Sequence, residues 1–267
     1  MSFTHKDILH FSHANGFPSK SYSVLLDRLN QHYDVNWIDQ VAHDPNFPVT
    51  DNWEHLVNQL EQYFEAQYDR PAIAVGHSLG GVLSYMLAVR RPDLVKAVLL
   101  LDAPVLDPFT SNVVRLAKGL KFVDYITPAG RTNGRQEHWK DQNEAVEYFK
   151  GKSLFRQVDE RCLRDYVRFG TEPCEAGICL TFKAETEVKI YRTIPHNLHR
   201  NRQQLSVPGA MIYGRQSNVV RTMQKRHMKR ALGMALDWMQ GGHLFPLEYP
   251  EQAADKIHQV LQGLNHG

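Results

Sequence analysis

The strongest constraint on the fold is an alternation of two hydrophobic periods over the first hundred residues. Short apolar runs typical of strands alternate with stretches whose apolar residues recur at helical spacing. The predicted strands are 7–13, 33–40, 71–77 and 96–104, and the predicted helices are 21–31, 50–67 and 78–91. For the second helix, Thr50, Asp51 and Glu54 suggest a capping box. The alternation predicts βαβ units, and therefore a parallel sheet with helices on its faces.

This rhythm stops after Pro104 and returns after Val207. The intervening segments have mostly helical patterns separated by glycine and proline turns, and the stretch 180–194 fits a helix or a strand equally well. The elements predicted after the break are a strand at 209–214, a basic helix at 221–230, a strand at 235–240 and a final helix at 250–264. We therefore predict a core domain formed by 1–103 and 207–267, with a helical cap at 104–206 inserted in it.

Composition excludes several classes of partner. The 267 residues carry a formal net charge of +2, which is too small to indicate nucleic acid as the main partner. The strongest basic cluster, 221–230, suits the solvated face of a helix. The N-terminus lacks a signal-peptide pattern, and the longest apolar stretch is far below the roughly 18 residues that span a bilayer. These features predict a cytoplasmic protein without membrane insertion and leave its oligomeric state open.

The chain has three cysteines, Cys162, Cys174 and Cys179. An odd number in a chain without an export signal predicts reduced thiols. The alternative is that Cys174 and Cys179 pair or bind a metal ion, although no third and fourth ligand lie close to them in the sequence.

The third predicted strand leads into "GHSLGG", which holds the pattern Gly-x-Ser-x-Gly. A serine on so sharp a turn has a strained backbone, and Gly76 and Gly80 leave the room that the turn needs. The turn pushes the Ser78 hydroxyl clear of the sheet, and the following helix points its positive end at it. Ser78 is therefore the predicted nucleophile, and a tight turn with an incidental serine is the alternative.

With this motif the chain resembles the α/β-hydrolase superfamily along essentially its whole length. The segments that carry the resemblance are "HANGF" (13–17), "GHSLGG" (76–81), "LLLDAP" (99–104) and "GGHLFPLEYPEQ" (241–252). The resemblance implies the α/β-hydrolase fold, an α/β architecture with a mainly parallel sheet flanked by helices and a helical cap after the fourth strand. It implies no cofactor and no metal.

A serine nucleophile needs a base, because a free hydroxyl reacts poorly at neutral pH. Among fourteen histidines, His243 follows a predicted strand and lies on a glycine-rich loop at the carboxyl edge of the sheet, where such folds bind ligands. It also matches the histidine loop of the superfamily. A loop histidine without a catalytic role is the alternative. His77 is expected to point away from Ser78 and pack, and His13 to shape the first turn.

Acyl transfer also needs hydrogen-bond donors for the developing oxyanion. The turn geometry predicts the backbone N–H of Leu79 as one donor. For the second donor, relatives carry His-Gly-x after the first strand. Aligning "HAN" without a gap assigns the backbone of Asn15, and sliding the match to "GFP" assigns Phe17 instead; we favour Asn15.

The acid is displaced from its usual place. Most relatives have an aspartate about three residues after the strand 209–214, where this chain has Ser217. We predict that Asp102 replaces it, since it ends the strand after Ser78 and should emerge at the same edge. A branch of small bacterial esterases is similar in having a carboxylate here and a serine in the later slot. The alternatives are a structural cap for Asp102 and a catalytic role for Asp107.

The predicted arrangement has Ser78 as nucleophile, His243 as base, Asp102 as the charge and Ser217 orienting the ring. The expected activity is hydrolysis of small-molecule carboxylic esters or thioesters through an acyl-enzyme. Alternatives are a C–C bond hydrolase, a cofactor-free haloperoxidase and a non-catalytic ligand-binding homologue. Aromatic residues of the insertion are candidates for an acyl pocket or for core: Phe109, Phe122, Tyr125, Trp139, Tyr148, Phe149 and Phe155.

Overall fold

A computed structural model of the chain describes residues 6–132, 134–200 and 205–265. Its main sheet has six parallel strands in the order β2-β1-β3-β4-β8-β9. These strands are β1 (Ile8–Ser12), β2 (Asp34–Trp37), β3 (Ala72–His77), β4 (Val95–Leu101), β8 (Gly209–Gly214) and β9 (Ala235–Met239). The predicted parallel sheet is confirmed, and the ends of the predicted core, 1–5 and 266–267, lie outside the described residues.

Helices cover both faces of this sheet. The core helices are α1 (Ser23–Leu29), α2 (Glu54–Gln67), α3 (Leu79–Arg90), α10 (Thr222–Ala231), α11 (Phe245–Glu248) and α12 (Pro250–Asn265). Because successive side chains of a strand point to opposite faces, each strand serves both sides. In β4, Leu99 and Leu101 pack with α1 and α12, whereas Val98 and Leu100 pack with α2 and α3. This double burial explains why the strands have nearly continuous apolar sequences.

The segment between β4 and β8 contains helices and a second sheet. Its helices are α4 (Pro108–Gly119), α5 (Val123–Ile126), α6 (Ala129–Thr132), α7 (Gln142–Lys150), α8 (Glu160–Gly170) and α9 (Ala184–Arg192). Its strands, β5 (His138–Trp139), β6 (Thr171–Cys174) and β7 (Gly177–Leu180), form an antiparallel sheet in the order β5-β7-β6. The expectation of a mostly helical insertion missed this sheet. The ambiguous stretch 180–194 ends β7 and then forms α9.

The β6–β7 hairpin joins Cys174 to Cys179 through a disulfide, while Cys162 is free and buried. The expectation of three reduced thiols is therefore wrong for this pair. A tight turn with Gly177 at φ +114° brings the two cysteines together, with their Cα atoms 6.0 Å apart. This separation is typical of a disulfide.

The start of α2 differs from the predicted capping box. Asn52 and Trp53 adopt left-handed conformations, with φ of 61° and 60°, and no side chain caps the helix. Both residues instead contact the insertion. The Asn52 backbone N–H donates to the carbonyl of Thr193 at 2.9 Å, and the Trp53 indole donates to the carbonyl of Ile190 at 3.1 Å. Tertiary contacts with the C-terminal end of α9 thus override the local capping signal.

Among the described residues, no helix combines the length and the apolar character that crossing a bilayer requires. The basic cluster forms α10, whose side chains are mostly exposed apart from Gln224 and Met228. It therefore has the solvated face that the sequence predicted.

Candidate active site

Ser78 lies on the turn between β3 and α3, in a conformation unusual for any residue but glycine. Its φ is 51° and its ψ is −113°. The two flanking glycines are required sterically, because a Cβ on Gly76 would lie 2.3 Å from Gly80 and a Cβ on Gly80 would lie 2.1 Å from the Ser12 carbonyl oxygen. The turn leaves Ser78 half-buried at the N-terminus of the twelve-residue helix α3. This is the placement that the Gly-x-Ser-x-Gly pattern predicted.

His243 lies on the loop that leads from β9 to α11, and neighbouring segments hold this loop on both sides. The Gly242 N–H donates to a Glu248 carboxylate oxygen at 2.7 Å. Residue Gln216, from the loop after β8, accepts from the Gly241 N–H at 2.6 Å and donates its own backbone N–H to the Gly241 carbonyl at 3.0 Å. Burial raises the pKa of Glu248 above its usual value. Three hydrogen bonds from neighbouring segments therefore position the loop that carries His243.

The side chains of Ser78, His243 and Asp102 form one hydrogen-bonded row. The Nε2 atom of His243 lies 3.1 Å from Ser78 Oγ, and its Nδ1 atom lies 2.7 Å from Asp102 Oδ2. An ionised carboxylate can only accept, so Nδ1 carries the proton and Nε2 of the neutral ring is free to accept from the serine hydroxyl. These are the geometric requirements for a nucleophile, a base and an orienting acid.

Asp102 is fully buried directly after β4, with φ at 43°. Its backbone N–H continues the sheet by donating to the Ile212 carbonyl at 2.8 Å. Its carboxylate accepts from the Gly214 N–H at 3.1 Å, from the Ser217 hydroxyl and from the imidazole of His243. Such bonds offset the desolvation of a buried charge. The alternative acid, Asp107, instead caps α4 through the N–H groups of residues 109 and 110.

Among the described residues, the hydroxyl of Ser217 donates its hydrogen bond to the carboxylate of Asp102 and makes none with the His243 ring. Its hydroxyl donates to Asp102 Oδ2 and accepts from the Val219 N–H at 3.1 Å. The sequence predicted that Ser217 helps to orient the His243 ring. In the structure the hydroxyl of Ser217 and the ring of His243 share the same acceptor, Asp102 Oδ2.

The loop after β1 offers the predicted oxyanion donors. In the part of the chain that the structure describes, the backbone N–H groups of Asn15 and Leu79 donate to no protein atom. The N–H of Phe17 already donates to the Ala14 carbonyl at 3.1 Å, which favours Asn15 over Phe17 as the second donor. The ring of His13 holds this loop by accepting from the Val41 N–H at 2.8 Å.

His77 has a bridging position that the sequence did not reveal. Its Nε2–H donates to the His243 carbonyl at 2.8 Å, and its Nδ1 accepts from the Tyr22 hydroxyl, also at 2.8 Å. The Ala14 N–H, beside Asn15, approaches the same hydroxyl at 3.4 Å. Burial lowers the pKa of His77 well below its usual value, so the ring stays neutral. Its contacts lie away from Ser78, as predicted. It also connects the loop of His243 with residues 13–17 after β1, which we call the oxyanion loop because it contains the proposed donor Asn15.

Glu187 on α9 is a second feature that sequence reasoning missed. Its carboxylate is ion-paired with Arg135 at 2.5 Å and would lie 3.0 Å from a Cβ on Gly16. Its backbone carbonyl accepts from the Asn15 side-chain amide at 3.1 Å. The insertion thus contacts the oxyanion loop through Glu187. Glu187 and Arg135 belong to no recognisable sequence motif, so their ion pair could not be predicted from the sequence.

The aromatic residues of the insertion divide into two groups. Trp139, Phe149 and Phe155 are buried in the core cluster that also contains Phe17, with Tyr148 packed against it. Phe109, Phe122 and Tyr125 are exposed, at 66%, 56% and 83%. The interpretation as core is therefore correct for the first group. In the second group, Phe109 lies at the start of α4, and Phe122 and Tyr125 pack against each other around α5.

The model of a known protein family matches residues 11–256, and that family is described as the alpha/beta hydrolase family. The chain belongs to the alpha/beta hydrolase family. The match spans the main sheet from β1 onward, the inserted segment and all the site residues described above.

Similar proteins carry several activities. This α/β hydrolase is 26% identical over 266 residues, 95% of its length and 87% of the relative's, to a protein of Mycobacterium phage D29 whose name proposes a non-heme haloperoxidase. It is 38% identical over 92 residues to lipase LipV of Mycobacterium tuberculosis, a match that covers 34% of this chain and 35% of the lipase.

A solved structure supports the fold. The crystal structure of an E-2-(acetamidomethylene)succinate hydrolase matches with a TM-score of 0.77 and 18% identity, over 97% of this chain and 92% of that one. At this identity the likeness is one of architecture.

Proposed function

We propose that this α/β hydrolase cleaves carboxylic esters or thioesters of small molecules through a covalent acyl-enzyme. The observation that carries the proposal is the row from Ser78 Oγ through the His243 ring to Asp102, with separations of 3.1 and 2.7 Å. Membership of a hydrolase family agrees with it. The cytoplasm, predicted from the sequence, is the proposed place of action.

In the acylation step, Ser78 Oγ attacks the carbonyl carbon of the substrate while His243 Nε2 takes the hydroxyl proton. The imidazolium that forms is stabilised by the buried carboxylate of Asp102. The negative charge on the carbonyl oxygen is stabilised by the N–H groups of Leu79 and Asn15, which are not otherwise engaged in the described structure. His243 then protonates the leaving alcohol or thiol, and Ser78 keeps the acyl group.

In the deacylation step, a water molecule attacks the acyl carbon and His243 Nε2 takes its proton. The same two N–H groups stabilise the second tetrahedral intermediate. Collapse of that intermediate releases the carboxylic acid and returns the proton to Ser78 Oγ. The residues 104–206 form the proposed cap, which contacts the oxyanion loop through Glu187.

The direct test is a pair of assays on wild-type protein and on Ser78→Ala. The wild type should hydrolyse short-chain p-nitrophenyl esters and thioesters, and a fluorophosphonate should label it at Ser78. Both signals should vanish in the variant while its circular dichroism stays unchanged. A wild type that is inert toward a broad ester panel and is not labelled would refute the proposal and favour a ligand-binding homologue.

Haloperoxidase chemistry is a second candidate, because the phage relative carries that name and the same serine can serve it. It predicts halogenation of a reporter substrate in the presence of hydrogen peroxide, a halide and a short carboxylic acid. A ratio of halogenation to ester hydrolysis above one at saturating substrate would favour this candidate over the hydrolase.

A further inference from the structure

The small sheet of the insertion brings two cysteine sulfurs and one histidine ring nitrogen together on one face. We propose that, when its disulfide is reduced, the β5-β7-β6 sheet binds a zinc ion through His138, Cys174 and Cys179. This thiol–imidazole site lies on the insertion and contains none of the residues proposed for ester hydrolysis. It is therefore independent of the proposed function.

Strand register explains why the three side chains meet. His138 of β5 pairs directly with Cys179 of β7, so both point to the same face. Cys179 in turn pairs with Glu172 of β6, and Cys174 lies two residues further along β6, on that same face. The other face is turned toward the core cluster, where Trp139 is buried.

Distances and exposure fit a metal site. The Nδ1 atom of His138 lies 3.0 Å from Cys179 Sγ, and the three possible ligand atoms all lie within 4.8 Å of one another. In a tetrahedral zinc site, neighbouring ligand atoms are about 3.5–3.8 Å apart, as bond lengths of about 2.3 Å to sulfur and 2.0 Å to nitrogen require. His138 is exposed and both cysteines are half-buried, so an ion can enter.

The choice of zinc follows from the donors. Two thiolates and one imidazole are typical zinc ligands, and a separation of four residues between two cysteines falls within the usual range. The carboxylate of Glu172 on the same face adds a negative charge near the ion. Three protein ligands leave the fourth tetrahedral position to water.

Binding requires reduction first. Two thiols of a reductant break the Cys174–Cys179 bond, giving two protein thiols and one reductant disulfide. Zinc then replaces both thiol protons, forming two Zn–S bonds and releasing two protons to solvent. The sulfurs need to separate by only a few ångströms, which the side chains of an exposed hairpin permit. In the reverse direction, the reductant disulfide takes up two electrons and two solvent protons to become two thiols, the Cys174–Cys179 bond forms again, and Zn²⁺ is released.

The test uses the full chain and Co²⁺ as a spectroscopic substitute for Zn²⁺. Protein reduced with a phosphine and then freed of metal should develop thiolate-to-cobalt charge-transfer absorption and tetrahedral d–d bands on titration with Co²⁺. Added Zn²⁺ should displace the cobalt and remove the bands with a stoichiometry of one. The oxidised protein should show no such bands. Imidazole-only binding, for example at the stacked rings of His32 and His258, gives no thiolate band.

Variants separate the three ligands. Cys174→Ser and Cys179→Ser should each lose about half of the charge-transfer intensity, because it scales with the number of bound thiolates. His138→Ala should weaken zinc binding by at least about tenfold. The matched controls are Cys162→Ala and His55→Gln, which should bind as the wild type does. Burial raises the pKa of the Cys162 thiol to about 12, so it supplies no thiolate near neutral pH.

Three results would overturn the proposal. They are the absence of thiolate-to-cobalt absorption in reduced wild type, full absorption in Cys174→Ser or Cys179→Ser, and an unchanged zinc affinity in His138→Ala. Because every readout is spectroscopic, a failure of ester hydrolysis would leave this test intact. A fold check by circular dichroism shows whether a variant that binds no metal is still folded.

Discussion

Asp102 and Glu187 are both buried acids, and they approach the candidate site from different parts of the chain. Asp102 ends a core strand and holds the ring of His243. Glu187 lies on α9 of the insertion, pairs with Arg135 and contacts the oxyanion loop at Gly16. The first acid sits where sheet hydrogen bonds fix its backbone, whereas the second depends on how the insertion packs. The first acid contacts the proposed base, and the second contacts the loop that carries a proposed oxyanion donor, Asn15.

The largest expected effect comes from Asp102→Asn, which leaves the shape of the site but removes the charge that His243 needs. We expect kcat to fall by about 10⁴-fold, the order known for this change in serine triads. The control is Ser217→Ala, which removes one hydrogen bond to the carboxylate and should cost about tenfold. Steady-state kinetics on a p-nitrophenyl ester measures both. A larger loss in Ser217→Ala than in Asp102→Asn would contradict the assignment.

A smaller effect is expected from Glu187→Gln, which keeps the size of the side chain but breaks its pair with Arg135. The oxyanion loop should then hold the backbone N–H of Asn15 less firmly, so its hydrogen bond to the developing oxyanion weakens. We expect kcat to fall by about 10- to 100-fold with little change in KM. Labelling by a fluorophosphonate should slow in parallel.

A matched control tests whether any contact between the insertion and the core would have this effect. Glu251→Gln breaks the pair between Arg161 of α8 and Glu251 of α12, at 2.6 Å, away from the oxyanion loop. Its kcat should stay within about twofold of the wild type, because exposed pairs contribute little. Equal losses in Glu187→Gln and Glu251→Gln would show that general docking matters and that the loop contact does not.

A separate prediction concerns the stability of the core and not the rate of catalysis. Burial lowers the pKa of His13 to about 4 and that of His10 to about 3. Below the unfolded value of 6.5, the unfolded chain binds more protons than the folded one, so stability falls as the pH decreases from about 6.5 to 4. Each histidine should contribute about 3 kcal/mol to this loss by pH 4.

Denaturant unfolding between pH 7 and pH 4 measures this loss. His10→Gln removes one of the histidines whose pKa burial lowers, a set that also includes His13 and His77, and should reduce the fall in stability between pH 7 and pH 4 by about 3 kcal/mol. An identical pH dependence in wild type and variant would mean that His10 is protonated in the folded state.

Much of the core follows from local sequence. The nearly continuous apolar run 96–101 is typical of a strand buried on both faces of a parallel sheet. The position of Asp102 at the end of that strand could therefore be predicted. Gly76 and Gly80 likewise identify the sharp turn at Ser78; a Cβ on Gly76 would clash within the turn itself, whereas a Cβ on Gly80 would clash with the Ser12 carbonyl oxygen of β1. The sequence predicted that Ser217 lies near Asp102 and His243. It could not predict which of the two accepts the hydrogen bond of Ser217, because that depends on the distance between two loops.

The insertion was harder to predict because its contacts are non-local. The strand β5 has two residues, too few for any periodicity, and yet it brings His138 beside Cys179. The capping signal at Glu54 failed because Asn52 and Trp53 contact residues about 140 positions away. Contacts between residues so far apart in the sequence cannot be predicted from local hydrophobic or capping patterns.

The strained backbone at Ser78 lowers the stability of the fold, while the serine hydroxyl is the proposed nucleophile, so a change that raises stability here would abolish the proposed activity. A non-glycine residue in its conformation costs about 1–3 kcal/mol, which the surrounding turn must absorb. Glycine would relieve that strain at a half-buried position where, among the described residues, the side-chain hydroxyl hydrogen-bonds only to His243. Selection for heat resistance alone would therefore favour Ser78→Gly. Any engineering campaign on this chain should couple a turnover screen to its stability screen, since the more robust variants would otherwise include inert ones.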